Sequence, residues 1–471
     1  MTIGKIDVTA AIQKVRDDLK KDKALSPALK ASIELLITII NILLNQKNLN
    51  SRNSSKPPSQ DPNRVNKTSK DRGIKRKKPG GQKGHKGSTL DPIDHPDEVK
   101  QIFIDKRTLP KGNYTHVGFQ KHQVFDFKIT RQVIEYQAEI LEDETGVQWL
   151  ASFPEGAKAV TQYGNGLKAH SVYMSQYQLI PGQRVADYFS NQMGIPLSKA
   201  SVQNFNRLAF QKLEYFEDWA KKELLASPLN HADETGVNVD GKQFWFHLLS
   251  NKKVTLYQVD KKRGQEAMDR MGILPHFKGI LCHDHWKPYY RYSCTHSLCG
   301  SHLLRELERA WEQDSQKWAK SLQELLTKIN KKVQKTQRKK LSKKKCAYYQ
   351  EKYRAILSEG EKECPLADEN EKRGRTKQTT ARNLLNRLRD FEDDTLRFMK
   401  ESLVPFTNNL AENDLRMTKV QQKISGCFRS ISGAKTFCLI RSYLLTCQKN
   451  NVDATTALKL LFEGKLPSFI T

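Results

Sequence analysis

PLNHADETGVNVDGKQFWFHLLSNKKVTLYQVD (residues 228–260) contains three apolar stretches separated by two short turns. The turns are DG (240–241) and NKK (251–253). Tight turns between apolar runs of this length indicate a three-stranded antiparallel meander. A short helix is predicted next (GQEAMDRMG, 264–272), followed by a buried strand, GILCHD (279–284), and then by another helix.

The predicted order of three strands, a helix, a strand and a helix is that of the ribonuclease-H-like fold. In this topology the first and fourth strands are neighbours, and they carry Asp233 and Asp284. Two carboxylates brought together repel each other, and burial increases the cost, so the pair indicates a cation between them. Oxygen ligands that leave room for water and phosphate suit Mg²⁺ or Mn²⁺. The alternative is two unrelated acids, because isolated Asp and Glu residues are common.

A third acid for the same site must come from a later helix. The segment VPFTNNLAENDLRMTKVQQKIS (404–425) offers Glu412, with Thr407 or Asn408 as the predicted helix cap. Polar residues of this segment that could orient ligands or bind phosphate are Asn409, Asp414 and Arg416. Two metal ions about 3.5–4 Å apart activate the attacking oxygen and stabilise the leaving one during displacement at phosphorus. Such a site can hydrolyse a strand with water and then use the freed 3′-hydroxyl as nucleophile.

The composition indicates a polyanionic partner. The 471 residues include 80 Lys and Arg against 52 Asp and Glu, a formal net charge of +28. Each neutralised phosphate releases condensed counterions, so this charge favours nucleic acid first and an anionic membrane surface second. A basic ribosome-associated protein, without metal-dependent activity, is the remaining alternative.

Neither a membrane span nor a secretory signal is visible. The most apolar run, SIELLITIINILL (32–44), falls short of the roughly 18–20 apolar residues that cross a bilayer. The amino terminus lacks a basic region followed by an apolar core. All eight cysteines lie at or after Cys282, at no spacing that suggests a disulfide scaffold, which favours a reducing, cytoplasmic compartment.

Residues 1–50 are predicted to be helical, with an apolar seam suited either to a coiled coil or to packing within its own domain. The seam consists of Leu29, Ile33, Leu36, Ile40 and Leu43. Residues 51–95 are predicted to be a flexible basic arm, because residues 51–90 hold twelve Lys and Arg against two Asp and cannot bury a core. We expect the arm to contact DNA, the alternative being a solvated linker. Its predicted DNA-binding residues are Arg72, Lys75, Arg76, Lys77, Lys78, Lys83, His85 and Lys86.

Alternating apolar residues over 96–155 predict a small β-rich module. Residues 156–226 are predicted to be helical, and QRVADYFSNQMGIPLSKASVQNFNRLAFQKL (183–213) has the layout of a helix-turn-helix motif. Gly194 and Pro196 lie in the turn, and Ser198 is predicted to cap the second helix. The predicted DNA contacts of that helix are Lys199 and Arg207. A helical domain without a recognition role is the alternative.

Several blocks resemble signature segments of the insertion-sequence 66 family of transposases, which are of the Asp-Asp-Glu (DDE) type. The catalytic blocks are HADETGVNV (231–239), GILCHDHWKPYY (279–290), CGSHLLRELE (299–308) and TNNLAENDLRMTKV (407–420). The preceding blocks are SSKPPSQD (54–61), KPGGQKGHKG (78–87) and YGNGLKAHSVYMSQYQLIPGQRVADYF (163–189). The resemblance covers most of the chain in the same order, which is more specific than any single motif.

The resemblance implies that Asp233, Asp284 and Glu412 form a catalytic, metal-binding triad that holds two Mg²⁺ or Mn²⁺ ions. It implies an α/β multidomain chain whose ribonuclease-H-like catalytic domain is interrupted by a basic helical insertion that includes KINKKVQKTQRKKLSKKK (328–345). The catalytic domain is predicted at 227–309 and 401–450, the insertion at 310–400 and a tail at 451–471. The insertion either grips DNA or presents a solvated face. The residues expected beside the triad, as phosphate or ligand contacts, are His302, Arg305, Asn409 and Arg416.

Family members often carry a cysteine zinc module after the glycine-rich basic arm, and this chain departs from that pattern. It has no cysteine before Cys282, so a thiolate-ligated zinc there is excluded, and we expect residues 96–155 to keep the place of the module without its metal. A compact set of possible ligands is Cys294, His296, Cys299 and His302. Structural zinc normally uses two ligand pairs separated by a loop, so we expect no zinc there either. His283 and His285 are interpreted as neighbours of Asp284 at the strand end.

The expected function is therefore that of a DNA transposase, which cleaves and transfers strands at the terminal inverted repeats of a mobile element and joins them to target DNA. We expect at least a homodimer on DNA, accessory proteins of the same element as candidate partners, and a cytoplasmic, nucleoid-associated location in a bacterium. The alternatives are a metal-dependent nuclease or resolvase on the same fold, and a catalytically decayed DNA-binding protein.

Overall fold

The structure, a computed structural model, describes residues 2–3, 6–21, 25–48, 90–154, 156–157, 159–366 and 378–470. The strands are β1 (Thr2–Ile3), β2 (Ile6–Asp7), β3 (Ile140–Glu142), β4 (Gln148–Leu150), β5 (Leu229–Val239), β6 (Lys242–Ser250), β7 (Thr255–Asp260), β8 (Ile280–His283) and β9 (Thr295–Leu298). The helices up to the main sheet are α1 (Val8–Lys21), α2 (Pro27–Asn48), α3 (Asn165–Val172), α4 (Gly182–Met193), α5 (Lys199–Gln211) and α6 (Glu214–Ala226). The later helices are α7 (Gln265–Met271), α8 (Gly300–Asp314), α9 (Lys317–Lys335), α10 (Lys343–Glu363), α11 (Thr380–Asp390), α12 (Glu392–Lys400), α13 (Asn409–Ser425), α14 (Ile431–Lys449) and α15 (Ala454–Phe462).

The central sheet has five strands in the order β7-β6-β5-β8-β9. β5, β6 and β7 form the predicted antiparallel meander, and β5 pairs with β8 in parallel. Asp240 and Gly241 in the first turn both have positive φ, 51° and 74°, as a two-residue hairpin turn requires. The sheet also has an edge strand, β9, parallel to β8, that the sequence did not predict. β9 is only four residues long and three of them are polar, so it depends on pairing with β8 and not on a local apolar pattern.

Helices cover both sides of this sheet. α14, which is buried over most of its length, packs along β7, and Ser442 and Thr446 of α14 accept hydrogen bonds from backbone N–H groups of β7. α13 packs against β5 and β6 through Ala411 and Leu415. This position brings the first turn of α13 to the sheet where β5 and β8 are neighbours.

The predicted insertion is helical and has an apolar core of its own. α9 packs against α8 and α10, and the fully buried Trp318 and Tyr353 lie in this core with Leu385. The same apolar cluster includes Leu298 of β9 and Phe406, which precedes α13. The insertion is therefore anchored to the edge of the sheet at both of its ends.

The regions before the sheet differ in how far they follow the predictions. α4 and α5 form the predicted helix-turn-helix, with Gly194 at φ 60° in the turn and Ser198 Oγ accepting the N–H of Ser201 as the cap of α5. Residues 96–155 contain one hairpin, β3–β4, whose six residues are all exposed. α1 and α2 agree with the predicted helical start, but four seam residues of α2 are exposed (Leu29, Leu36, Ile40 and Leu43), whereas Ile37 is buried. Within the described part of the chain, none of the helices is both long and apolar enough to cross a bilayer.

Candidate active site

Two of the predicted catalytic acids meet where parallel strands end. The pairing of β5 with β8 ends at His231 opposite Cys282, and continuing that register by two residues places Asp233 opposite Asp284. The pairing of β8 with β9 ends at His283 opposite Leu298, so one further residue places Cys299 opposite Asp284. Neighbouring strands lie about 4.8 Å apart. Asp233, in the middle of β5, therefore lies in one row with Asp284 and Cys299, which directly follow β8 and β9.

Asp233 is buried among other acidic side chains. Burial raises the pKa of Asp233 well above its usual range, and the charges of Glu234, Asp284 and Glu412 raise it further. One opposing interaction is the backbone N–H of Glu234, which donates to Asp233 Oδ1 at 2.9 Å. Burial and the three neighbouring acids thus disfavour the charged form of Asp233.

Asp284 is held by a local turn, and one arginine of the insertion, which also pairs with Glu306, interacts with it. The N–H of Trp286 donates to Asp284 Oδ1 at 2.9 Å. His285, between the two, has a φ of 76°, and its N–H donates to Nδ1 of His283 at 3.1 Å. The guanidinium of Arg387 on α11 is close enough to interact electrostatically with Asp284. The insertion therefore contributes a cation to the site, which the sequence did not predict.

Glu412, in the first turn of α13, faces the start of α8. Its Oε1 lies 3.7 Å from Sγ of Cys299 and 3.6 Å from Nδ1 of His302, and its Oε2 lies 3.8 Å from a guanidinium nitrogen of Arg305. Among the described residues, the group whose possible ligand atoms all lie within 4.8 Å of one another is Cys299, His302 and Glu412. Asp233 and Asp284 are outside this group, so Glu412 is oriented toward α8 and not toward the two aspartates.

Glu234 is a buried acid of the site that the sequence interpretation missed. Its side chain is 2% exposed, and its carboxylate accepts bonds from Arg263 at 2.6 and 3.0 Å and from the Tyr289 hydroxyl at 2.7 Å. Burial raises the pKa of Glu234, Asp284 adds to this, and the bonds from Tyr289 and Arg263 oppose it. The Arg263 guanidinium also lies over the rings of Trp245 and Trp286, 4.8 and 4.4 Å from their centroids. This arrangement fixes Glu234 beside Asp233 as part of an ion pair.

Asn408 connects three elements of the site. It occupies the N-cap position of α13, as predicted for Thr407 or Asn408, but its side chain makes no capping bond. Its Oδ1 lies 2.7 Å from Nδ1 of His231, its Nδ2 donates to the Ala232 carbonyl at 2.8 Å, and its backbone N–H donates to Sγ of Cys299 at 3.1 Å. The buried amide therefore positions the helix that carries Glu412 against β5 and α8.

Replacing Asn408 with Ala is expected to lower the free energy of unfolding by about 1–3 kcal/mol, because it leaves buried hydrogen-bonding groups of His231 and Ala232 without partners. Urea unfolding followed by circular dichroism measures the change. Asn409→Ala is the matched control, since Asn409 is exposed and surface changes usually stay within about 0.5 kcal/mol. Equal losses in the two variants would contradict the positioning role of Asn408.

His283 and His296 form a buried pair. Nε2 of His283 lies 3.0 Å from Nδ1 of His296, and Nε2 of His296 lies 3.3 Å from the Tyr292 carbonyl. Both ring nitrogens of His296 therefore have partners within the protein. Sγ of Cys294 lies 4.0 Å from Nε2 of His296, and these two residues lie outside the group formed by Cys299, His302 and Glu412.

Acidification is expected to destabilise the fold through His283. Burial, with His296 next, lowers its pKa well below 6.5. Its neutral form thus stabilises the fold above the unfolded pKa near 6.5, and this contribution is lost as the pH falls below that value. The raised pKa of Asp233 acts in the opposite sense, so the test compares melting temperatures of wild type and His283→Gln between about pH 7.5 and 5.5. The wild type should lose more stability over this interval, and equal slopes would contradict the assignment.

The remaining predicted residues lie at different distances from the acids. His302 and Arg305 face Glu412, as expected, whereas Asn409 and Arg416 are exposed on α13. Asp414 does not face the site, because its carboxylate pairs with Lys449 of α14 at 2.8 Å and accepts the Thr255 hydroxyl at 2.8 Å. Lys199 and Arg207 are exposed on α5. The predicted arm residues Arg72, Lys75, Arg76, Lys77, Lys78, Lys83, His85 and Lys86 lie outside the described residues.

Comparison with known families identifies the chain. Residues 160–436, more than half of the sequence, match the profile of the transposase IS66 family. The chain belongs to the IS66 family of transposases. The resemblance inferred from the sequence blocks is thereby confirmed, and membership places the chain among enzymes that cut DNA. Residues 2–91 match a family of unknown function, DUF6444, and no curated protein matches the chain.

Proposed function

We propose that this IS66-family transposase catalyses divalent-metal-dependent cleavage and transfer of DNA strands at the ends of a mobile element, with Asp233, Asp284 and Glu412 as its catalytic acids. The observation that carries the proposal is the register of the parallel strands β5 and β8, which brings Asp233 beside Asp284, together with the charges of Asp284 and Glu412, which act on the buried Asp233. We further propose that β5–β9, with α8, α13 and α14, form a ribonuclease-H-like core. The strand order β7-β6-β5-β8-β9 is the order expected of that fold, with β5, β6 and β7 antiparallel to one another and with parallel pairing of β5 with β8 and of β8 with β9.

The donor set fits Mg²⁺ or Mn²⁺. All three acids offer carboxylate oxygens, the ligands that these hard cations prefer. Burial raises the pKa of Asp233, the charges of Glu234 and Asp284 raise it further, and a bound cation would oppose both effects. When bound by Asp233, Asp284 and Glu412, two such ions supply activation of the attacking oxygen and stabilisation of the leaving one. No zinc is required for this chemistry.

The cationic side chains beside the acids are suited to hold a phosphate. Arg305 on α8 lies 3.8 Å from Glu412, and Arg387 on α11 interacts electrostatically with Asp284. Burial lowers the pKa of His302, and Arg305 lowers it further, whereas Glu412 and Asp284 oppose the shift. His302 therefore favours its neutral form, and the two arginines would bear the positive charge that positions a DNA phosphate.

The DNA-binding surface is proposed to include α5 and α9. Lys199 and Arg207 are exposed on the second helix of the helix-turn-helix. On α9, lysines spaced three or four residues apart line a shallow groove: Lys328, Lys331, Lys332 and Lys335. The basic arm adds further positive charge in the sequence. Phosphate contacts of this kind predict an affinity that falls steeply with salt concentration.

Strand transfer with end-labelled terminal DNA of the element tests the proposal. The wild-type chain should yield cleaved and joined products in Mg²⁺, and neither product when the metal is chelated. Cleavage without joining would favour the nuclease or resolvase alternative. Specific DNA binding with no cleavage in Mg²⁺ or Mn²⁺ would favour a decayed DNA-binding protein.

A further inference from the structure

Cys299, His302 and Glu412 converge where α8 and α13 begin. Cys299 is the N-cap residue of α8, and His302 lies three residues later, so both side chains are on one side of the first turn. Glu412 reaches them from α13, with Oε1 at 3.7 Å from the cysteine Sγ and at 3.6 Å from the histidine Nδ1. The three ligand atoms belong to three chemical classes: thiol, imidazole and carboxylate.

The surroundings of His302 and Cys299 leave their ligand atoms able to bind a cation. Nδ1 of His302 is buried and has no hydrogen-bond partner. Sγ of Cys299 is 3.1 Å from the backbone N–H of Asn408, which donates to it. A sulfur that accepts a hydrogen bond from a backbone amide is oriented as an electron donor, and a thiolate in the same place would keep that bond.

The two distances from Glu412 Oε1, 3.7 Å to Cys299 Sγ and 3.6 Å to His302 Nδ1, are close to those of a tetrahedral zinc site, and all three ligand atoms lie within 4.8 Å of one another. Zinc binds sulfur at about 2.3 Å and nitrogen or oxygen at about 2.0–2.2 Å, which places tetrahedral ligands about 3.4–3.6 Å apart. Mg²⁺ does not suit this set, because it prefers an octahedron of oxygens. We infer that Cys299, His302 and Glu412 bind a borderline-soft divalent cation such as Zn²⁺, with a fourth position left for water.

Binding requires the thiol proton to leave. Cys299 S–H loses its proton to solvent, the thiolate sulfur bonds the cation, and no oxidation takes place. Burial raises the pKa of Cys299 to about 11, and Arg305 places a positive charge 3.8 Å from Glu412. The negative charge of the nearby Asp284 favours the cation.

The site shares Glu412 with the proposed catalytic triad, and this consequence rests on the proposed function. A cation held by Cys299 and His302 keeps Glu412 against α8, away from Asp233 and Asp284. Zn²⁺ should therefore inhibit cleavage that Mg²⁺ supports, and it should do so without competing for the two aspartates.

Titration of the full chain with Co²⁺ tests binding independently of activity. A thiolate ligand gives Co²⁺ a charge-transfer absorption in the near ultraviolet, which should appear at one equivalent in the wild type. Cys299→Ser keeps an acceptor for the Asn408 N–H but should abolish the band and weaken Zn²⁺ binding by at least about 100-fold, since even changes outside the ligand set weaken it about 10–100-fold. Cys294→Ser is the matched control, because Cys294 is also buried and lies outside the group.

The outcomes separate the site from the catalytic proposal. A band in wild type and Cys294→Ser that is absent from Cys299→Ser and His302→Gln supports the site, with circular dichroism to show that each variant is folded. No band in the wild type, or a band that persists in Cys299→Ser, overturns it. If zinc binds at this site and Mg²⁺-dependent cleavage continues at saturating zinc, the prediction that zinc inhibits cleavage is wrong. If the wild type does not cleave at all, the proposed function fails while the binding result stands.

Discussion

Asp284→Asn is expected to lower the rate of DNA cleavage in Mg²⁺ by at least about 1,000-fold while leaving DNA binding unchanged. Asn keeps the size of the side chain and an oxygen that can accept the Trp286 N–H, so the turn after β8 survives. The substitution removes the negative charge of Asp284, and this should also lower the pKa of Asp233, because Asp284 is one of the charges that raise it. Gel-based cleavage of terminal DNA measures the rate, and an electrophoretic mobility shift measures binding.

Glu266→Gln is the control for this substitution. Glu266 is on α7, with a side chain 67% exposed, and its contacts are surface ion pairs with Lys262 and Arg270. It changes the net charge by the same amount as Asp284→Asn, and it should leave both cleavage and binding unchanged. If the Asp284→Asn variant still cuts DNA in Mg²⁺ at a rate near that of wild type, the assignment of Asp233, Asp284 and Glu412 as the catalytic acids is wrong.

Lys449→Met is expected to lower the free energy of unfolding by about 3–5 kcal/mol, because it leaves Asp414 as a buried charge without its partner. The two side chains are 16% and 12% exposed, with Nζ and Oδ2 2.8 Å apart, and Nζ also donates to the Asn251 carbonyl. Met retains most of the apolar volume, so the loss is electrostatic. Urea unfolding followed by circular dichroism gives the difference.

An exposed ion pair provides the comparison. Lys362 and Glu359 are 2.9 Å apart on α10, but their side chains are 73% and 64% exposed. Lys362→Met should change the free energy of unfolding by no more than about 1 kcal/mol, because exposed pairs are weak. Similar losses in the two variants would show that the Lys449 pair does not hold α13 and α14 to the sheet.

The parts of the fold that were predictable are those with a local cause. The β5–β6 and β6–β7 turns follow from Asp240-Gly241 and from the NKK turn, and the cap of α5 follows from Ser198. β9 was not predictable, since its four residues become a strand by pairing with β8. The sequence predicted the positions of β5, β6, β7 and β8 in the sheet, but not the presence of β9.

The candidate site was predictable to a smaller extent. Asp233 and Asp284 follow from strand order, but the identification of Glu412 depended on family resemblance, because no local pattern connects it with the sheet. Asn408 was missed as a positioning residue, since its partners His231 and Ala232 are more than 170 positions away in sequence. The pairing of Glu234 with Arg263, on a different segment, was missed for the same reason.

Because α13 follows the insertion, the ribosome supplies the third acid long after the first two. About 130 residues separate Asp284 from Glu412, which corresponds to about 6–26 s of translation at about 5–20 residues per second. During that interval the nascent chain carries the helix-turn-helix and two acids but not Glu412. α14, which packs along β7, is synthesised later still. The ability to cut DNA should thus appear late in synthesis. A chain interrupted within the insertion should bind DNA without cutting it.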